Sequence, residues 1–238
     1  VALFCAVGGV EPQSETVWRQ ADRYDVPRMA FINKMDRTGA DFPGVMEMME
    51  ERLGANVAAV QWPIGSGELF NGMINIIEEE AYVFADDHHL GKGWEVQPVP
   101  EELEDKVRQL REELVDSVAD YDDDLMMAYL EGKEITSDML RQAVRKGVLS
   151  GDFTPVLCGS ALKNKGVPQL MDAVTDYLPS PLDLPPVEGH PPQHDEERVQ
   201  READQDEPFS ALAFKVATDQ YAGRLTFIRV YSGRLDAG

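Results

Sequence analysis

The chain has 238 residues, 43% hydrophobic and 28% charged, the balance of an ordinary globular protein long enough for one large domain or more than one. Its formal net charge of −22 argues against gripping nucleic acid unaided, because phosphate contacts need clustered Lys and Arg. No apolar run reaches the ~18 residues of a membrane helix and no signal-peptide pattern opens the chain, so no membrane partner is expected.

Val1 to Val7 is apolar throughout and reads as a central parallel strand covered on both faces. Because it opens on Val and in mid-strand, the chain is expected to be a fragment of a longer protein. Gly8-Gly9 makes the exit turn, and Glu11 to Ala21 reads as a helix with Val17, Trp18 and Ala21 on its inner stripe. The apolar run Met29 to Ile32 predicts a buried strand that delivers Asn33-Lys34-Met35-Asp36 to a loop at the carboxyl edge of a sheet, the edge where α/β proteins bind ligands. Pro43 to Leu53 follows as a helix, with Val45, Met46, Met49 and Leu53 at core spacing. Val57 to Trp62 reads as the next strand, closed by Pro63.

The tetrad carries chemistry. A carboxylate at Asp36 offers two acceptor oxygens, and the Watson–Crick edge of guanine presents two adjacent donors. Adenine would place an acceptor against one of those oxygens, and a polar site of this kind rejects the wrong partner by roughly 10⁴. The methylene stem of Lys34 can cover a face of the base while its ammonium stays wet. Asn33 can tie the loop to a neighbour. An ordinary surface turn is an equal reading of these residues in isolation; their place directly after a buried strand favours the base.

From about Gly65 to Gly151 the pattern changes. Met73 to Ile77, Ala81 to Phe84 and Trp94 to Val99 read as strands, with a polar loop around Gly91-Lys92-Gly93. Three helices follow: Glu101 to Ala119, with Leu103, Val107, Leu110, Leu114 and Val118 at helical spacing; Asp122 to Tyr129; and Ser137 to Leu149, capped by Thr136. Residues 65 to 150 hold 21 acidic and 8 basic side chains, a net of −13, which marks a solvated acidic surface or a docking face for a basic partner.

Phe153 to Cys158 is another buried strand, followed by Gly159-Ser160-Ala161-Leu162-Lys163 and a helix from Val167 to Leu178. The 124 residues from Asp36 to Ser160 far exceed the ~30 of a β-α-β step, so something of about domain size is inserted between the two loops. Pro179, Pro181, Pro185, Pro186, Pro191 and Pro192 then mark a linker without regular structure, and Asp195 to Glu207 a charge run. Phe209 to Ala217 and Arg224 to Ser232 read as a hairpin around Asp219 to Gly223. Cys5 and Cys158 are expected to be buried free thiols in a reducing cytoplasm, on strands separated by the tetrad strand; His88, His89, His190 and His194 fit exposed loops better than a metal site.

The run from Asn33 through Asp36 and Arg37 to Phe42 resembles the guanine-specificity loop of the translational GTPases, among them the bacterial elongation factor of translocation. Gly159-Ser160-Ala161 resembles their second base loop. The resemblance implies an α/β fold: the C-terminal half of a P-loop GTPase parallel sheet, an inserted α+β subdomain and the start of a β-barrel. Residues 1–64 and 152–180 would be the nucleotide-domain parts, 65–151 the insert, 181–208 a linker and 209–238 the barrel start. It implies that Asn33, Lys34, Asp36, Ser160, Ala161 and Leu162 bind GTP or GDP, Ser160 bracing the tetrad and the Ala161 N–H donating to the guanine carbonyl oxygen. Leu162 departs from the commoner Phe or Lys.

It implies also a cytoplasmic monomer acting with the ribosome, touching the ribosomal stalk protein through the insert and rRNA through the intact protein. Neither a phosphate loop nor magnesium ligands are present; Asp36-Arg37-Thr38-Gly39 spells Asp-x-x-Gly but overlaps the base loop. The catalytic groups and magnesium site are therefore expected before Val1, no catalytic residue is named, and GTP hydrolysis is expected of the longer protein alone. The alternatives are an interaction module that docks the stalk protein, or a related factor of release, recycling or ribosome protection.

Overall fold

The computed structural model describes residues 1–84, 93–190 and 196–237. The chain divides into two compact units, Val1–Leu178 and Pro179–Gly238. The first runs β1 (Ala2–Cys5), α1 (Pro12–Arg23), β2 (Ala30–Asn33), α2 (Phe42–Leu53), β3 (Val57–Ala59), β4 (Gln61–Ile64), β5 (Gly72–Asn75), β6 (Glu80–Phe84), β7 (Trp94–Pro98), α3 (Glu104–Val118), α4 (Asp123–Leu130), α5 (Ser137–Ser150), β8 (Thr154–Cys158) and α6 (Val167–Tyr177).

Four strands make a parallel sheet in the order β1-β2-β8-β3, and β4 to β7 make an antiparallel meander in sequence order. The apolar run at β2 is explained by its two covered faces. Met29 and Phe31 point into a core shared with α3, α5 and α6, whereas Ala30 and Ile32 point into a second core with Trp18 of α1 and Phe42, Val45 and Met49 of α2. Register pairs Cys5 with Asn33 and Ile32 with Cys158, so the loops leaving β2 and β8 start side by side.

Helix ends follow local chemistry. Asp41 caps α2 by accepting from the Gly44 N–H at 3.1 Å, and Gly54 closes it in the left-handed region. Asp122 caps α4 through the N–H groups of Asp124 and Leu125, both at 3.0 Å. The expected cap at Thr136 is present, accepting from the Met139 N–H at 3.3 Å.

Among the described strands β1 pairs with β2, and its Phe4 packs inward on Trp18. Three expectations need correction. On α1, Val17 is 56% exposed, so the inner stripe narrows to Trp18 with Ala21 half-buried. The run Val57 to Trp62 is two strands. Val60 is the pivot: its N–H donates to Val156 of the parallel sheet and its carbonyl accepts from Ile76 beside the antiparallel one, both at 3.0 Å. Pro63 therefore sits inside β4, tolerated because β4 is an edge strand. The third concerns the proline-rich segment, which contains a short antiparallel ladder between β9 (Val187–Gly189) and β10 (Val199–Arg201).

The second unit ends in a hairpin of β11 (Ser210–Asp219) and β12 (Gly223–Ser232). Asp219 builds its turn by accepting from the Tyr221 and Ala222 N–H groups at 2.8 Å, and Gly223 takes φ +75°. Among the described residues no helix is long and apolar enough to cross a membrane. Pro191, Pro192, His88, His89, His194 and the loop at Gly91-Lys92 lie outside the described residues.

Candidate functional site

At the end of β2, Lys34 adopts φ +69°, which for a residue with a Cβ costs about 1–2 kcal/mol. That turn aims the Lys34 side chain outward and buries Met35 beneath it. The chain then closes a turn through Arg37 N–H to Lys34 O at 3.1 Å and enters α2 once Asp41 N–H has donated to Ala6 O at 2.9 Å. Asp36 stands half-buried on this turn, and its carboxylate has no hydrogen bond or ion pair among the described residues.

The loop after β8 is locked to it. Gly159 N–H donates to Ile32 O at 3.0 Å, and Met35 N–H donates to Gly159 O at 3.1 Å. Only glycine fits at 159, because a Cβ would strike the Lys165 carbonyl oxygen and, at 2.7 Å, the Phe31 ring. Ser160 and Lys165 exchange backbone hydrogen bonds of 2.9 and 3.0 Å, pinching the loop shut. Asn33 joins the two loops: its Oδ1 accepts from the Ala161 N–H at 2.9 Å and from the Lys34 N–H at 2.8 Å.

Two expected roles change. The Ala161 N–H, expected to face a base carbonyl, is donated to the Asn33 Oδ1 at 2.9 Å. Ser160 is buried, yet its Oγ has no hydrogen-bond partner among the described residues, so no hydroxyl bond ties it to the tetrad. Leu162 is 88% exposed at the loop tip.

Sequence reasoning missed the underside. Gly67 N–H donates to Met35 O at 2.8 Å, and the buried Lys165 reaches Phe70 O at 3.3 Å with its ammonium 5.9 Å from the Phe84 ring. Gly65-Ser66-Gly67 was the available signal, a turn with both glycines at positive φ. Cys5 is half-buried rather than buried. Burial pushes its thiol up, but the Gly8 and Val7 N–H groups and the charges of Lys34 and Arg37 outweigh this and hold it below the usual thiol range. Cys158, wholly buried, is pushed well above that range, and β2 separates the two.

The assembled edge offers a free carboxylate at Asp36 and an outward alkyl stem at Lys34, with two backbones clamped beneath and the Ser160 hydroxyl buried behind them. This set suits a flat heterocycle with adjacent N–H donors. Among the described residues no group of three or more His, Cys, Asp or Glu side chains gathers where a metal ion could sit.

Comparison with known proteins bears on the family and the fold. The profile of the Elongation factor Tu GTP binding domain matches residues 1–180. Elongation factor G of Salinibacter ruber is 57% identical over 100% of this chain, which spans 34% of that relative's length. A crystal structure of a Thermus thermophilus protein superposes with a TM-score of 0.75 at 27% identity, covering 98% of this chain and 32% of that one. With its two loops at the carboxyl ends of β2 and β8 and this match over three quarters of its length, the chain belongs to the family of the elongation factor Tu GTP-binding domain.

Proposed function

We propose that this chain is the guanine-reading part of a ribosome-dependent GTPase of the elongation factor G kind, one that couples GTP hydrolysis to movement of tRNA and mRNA. The observation that carries the reading is the Asn33–Ala161 hydrogen bond, which joins the two loops into one rigid edge and leaves the Asp36 carboxylate unpaired beside it. In this reading Asp36 accepts from the two guanine donors, the Lys34 stem covers one ring face, and Ser160, Ala161 and Leu162 form the wall behind the base. Preorganised acceptors confer selectivity because adenine would leave one of them facing a lone pair. When bound, GTP would supply the scissile phosphate and magnesium its charge neutralisation; this chain's own residues hold and select the base.

The division into nucleotide-domain parts (1–64 and 152–180), insert (65–151), linker (181–208) and barrel start (209–238) belongs to the same proposal. So do the ribosome and its stalk protein as partners, with the acidic insert as the stalk contact. The match to the family profile supports the nucleotide domain, and the likeness to the Salinibacter ruber relative favours this reading over release, recycling or protection factors. Calorimetric titration of the 238-residue chain with GDP, with ADP as control, tests it. Weak GDP binding without ADP binding is the expected result, and equal response to the two would overturn base selection.

A further inference from the structure

Between the antiparallel sheet and α6 opens a cleft of about 420 Å³. Its lining includes Gln169, whose side chain is 6% exposed and whose amide oxygen and nitrogen both lack a hydrogen-bond partner among the described residues. A buried carboxamide left empty on both ends is unfavourable unless something enters to use it. Tyr82, Trp94 and the buried Tyr177 line the same cleft with aromatic surface.

Three carboxylates complete it. Glu80, Asp172 and Asp176 all line the cleft, and none has a side-chain hydrogen bond or ion pair among the described residues. Asp172 and Asp176 stand one helical turn apart, where like charges repel, and they share the face of α6 that carries Gln169 and Ala173. The cleft's own cation, Arg141, is already engaged by Glu78 and, at 2.6 Å, by Asp138. Unpaired carboxylates, aromatic surface and a free amide oxygen are together the chemistry that holds an organic cation.

We propose that this cleft binds a protonated alkylamine or guanidinium group, contributed by a small polyamine or by a Lys or Arg side chain of a protein partner. The site is separate from the base-reading edge and does not depend on it.

The test is calorimetric titration of the chain with spermidine and with N-acetyl-arginine amide, in about 0.1 M KCl where screening acts beyond ~10 Å. One saturable site for at least one probe is expected. Affinity should fall about tenfold or more in the Asp172→Asn/Asp176→Asn double variant and in Gln169→Leu, and stay unchanged in Asp105→Asn, whose side chain is 97% exposed on α3. Tighter binding of spermidine would support a free polyamine as the ligand; equal or tighter binding of the arginine amide would support a partner's side chain. Three results would overturn the proposal. Neither probe saturates; or Asp105→Asn weakens binding as much as the double variant, showing a diffuse response to net charge; or Gln169→Leu raises the melting temperature with affinity intact, showing that the buried amide is a packing defect.

Discussion

Asn33 and Asp36 stand three positions apart and do opposite things with their oxygens. The Asn33 Oδ1 is spent on two backbone N–H groups and fixes the loops, whereas the Asp36 carboxylate remains unspent. It follows that Asp36→Asn should keep the fold and change the ligand. The new amide presents a donor to xanthine's carbonyl oxygen, so preference should move from guanine toward xanthine nucleotides in a GDP–XDP competition. Unaltered selectivity would remove Asp36 from the base contact.

Asp122 is the second residue whose charge can be followed. Burial opposes its ionisation, but the hydrogen bond from Lys146 at 2.6 Å and the N–H groups of Leu125 and Asp124 outweigh this and hold its carboxyl below the usual range. A carboxyl lowered in the folded state stabilises above its unfolded value of about 3.9 and loses that contribution as pH falls through the folded value. Asp122→Asn keeps a capping oxygen but not the charge, and should cost about 1 kcal/mol at neutral pH. The gap from the parent chain in chemical unfolding should close below about pH 4. A gap that persists there would assign the loss to packing.

At the scale of elements, helices were legible because their signals are local. The stripe Val107, Leu110, Leu114 and Val118 is buried along α3 as its spacing predicts, and Thr136 and Gly151 bracket α5. Leu114 is fully buried in the core that α3 shares with β2 and α5, so Leu114→Ala should destabilise by about 2–5 kcal/mol. Unchanged thermal unfolding would mean that the inward face of α3 is wrong. Strands were less legible. An apolar run says that a strand is covered, not which strands it pairs with. Nor could Val57 to Trp62 reveal its break, because the change of sheet at Val60 is written in its partners Val156 and Ile76, not in its own side chain.

Across the whole molecule, both hydrophobic cores are built entirely from residues of the first unit, the last being Leu178. The second unit has strands but no such core among the described residues. Phe214 and Val216 of β11 and Phe227 and Ile228 of β12 are all exposed. A two-stranded hairpin is marginal by itself. Ending the chain after Leu178 should therefore shift the melting temperature of the first unit by no more than about 2 °C, the low end of what a loss of ~1 kcal/mol would cause. A larger fall in differential scanning calorimetry would show that the second unit supports the first.

The α/β class, most helix spans, the Thr136 cap and the residues of the loops after β2 and β8 could be read from the sequence alone, because periodicity, capping chemistry and turn residues are properties of neighbouring residues. The tertiary structure alone decided that Asn33 takes the Ala161 N–H across 128 residues, that Lys165 and Gly67 support the loops from below, and that Gln169 is buried without a partner among the described residues. The physical reason is register. Those contacts depend on which residue of β2 lies level with which residue of β8, and that alignment is set by packing across the intervening segment rather than by either strand alone.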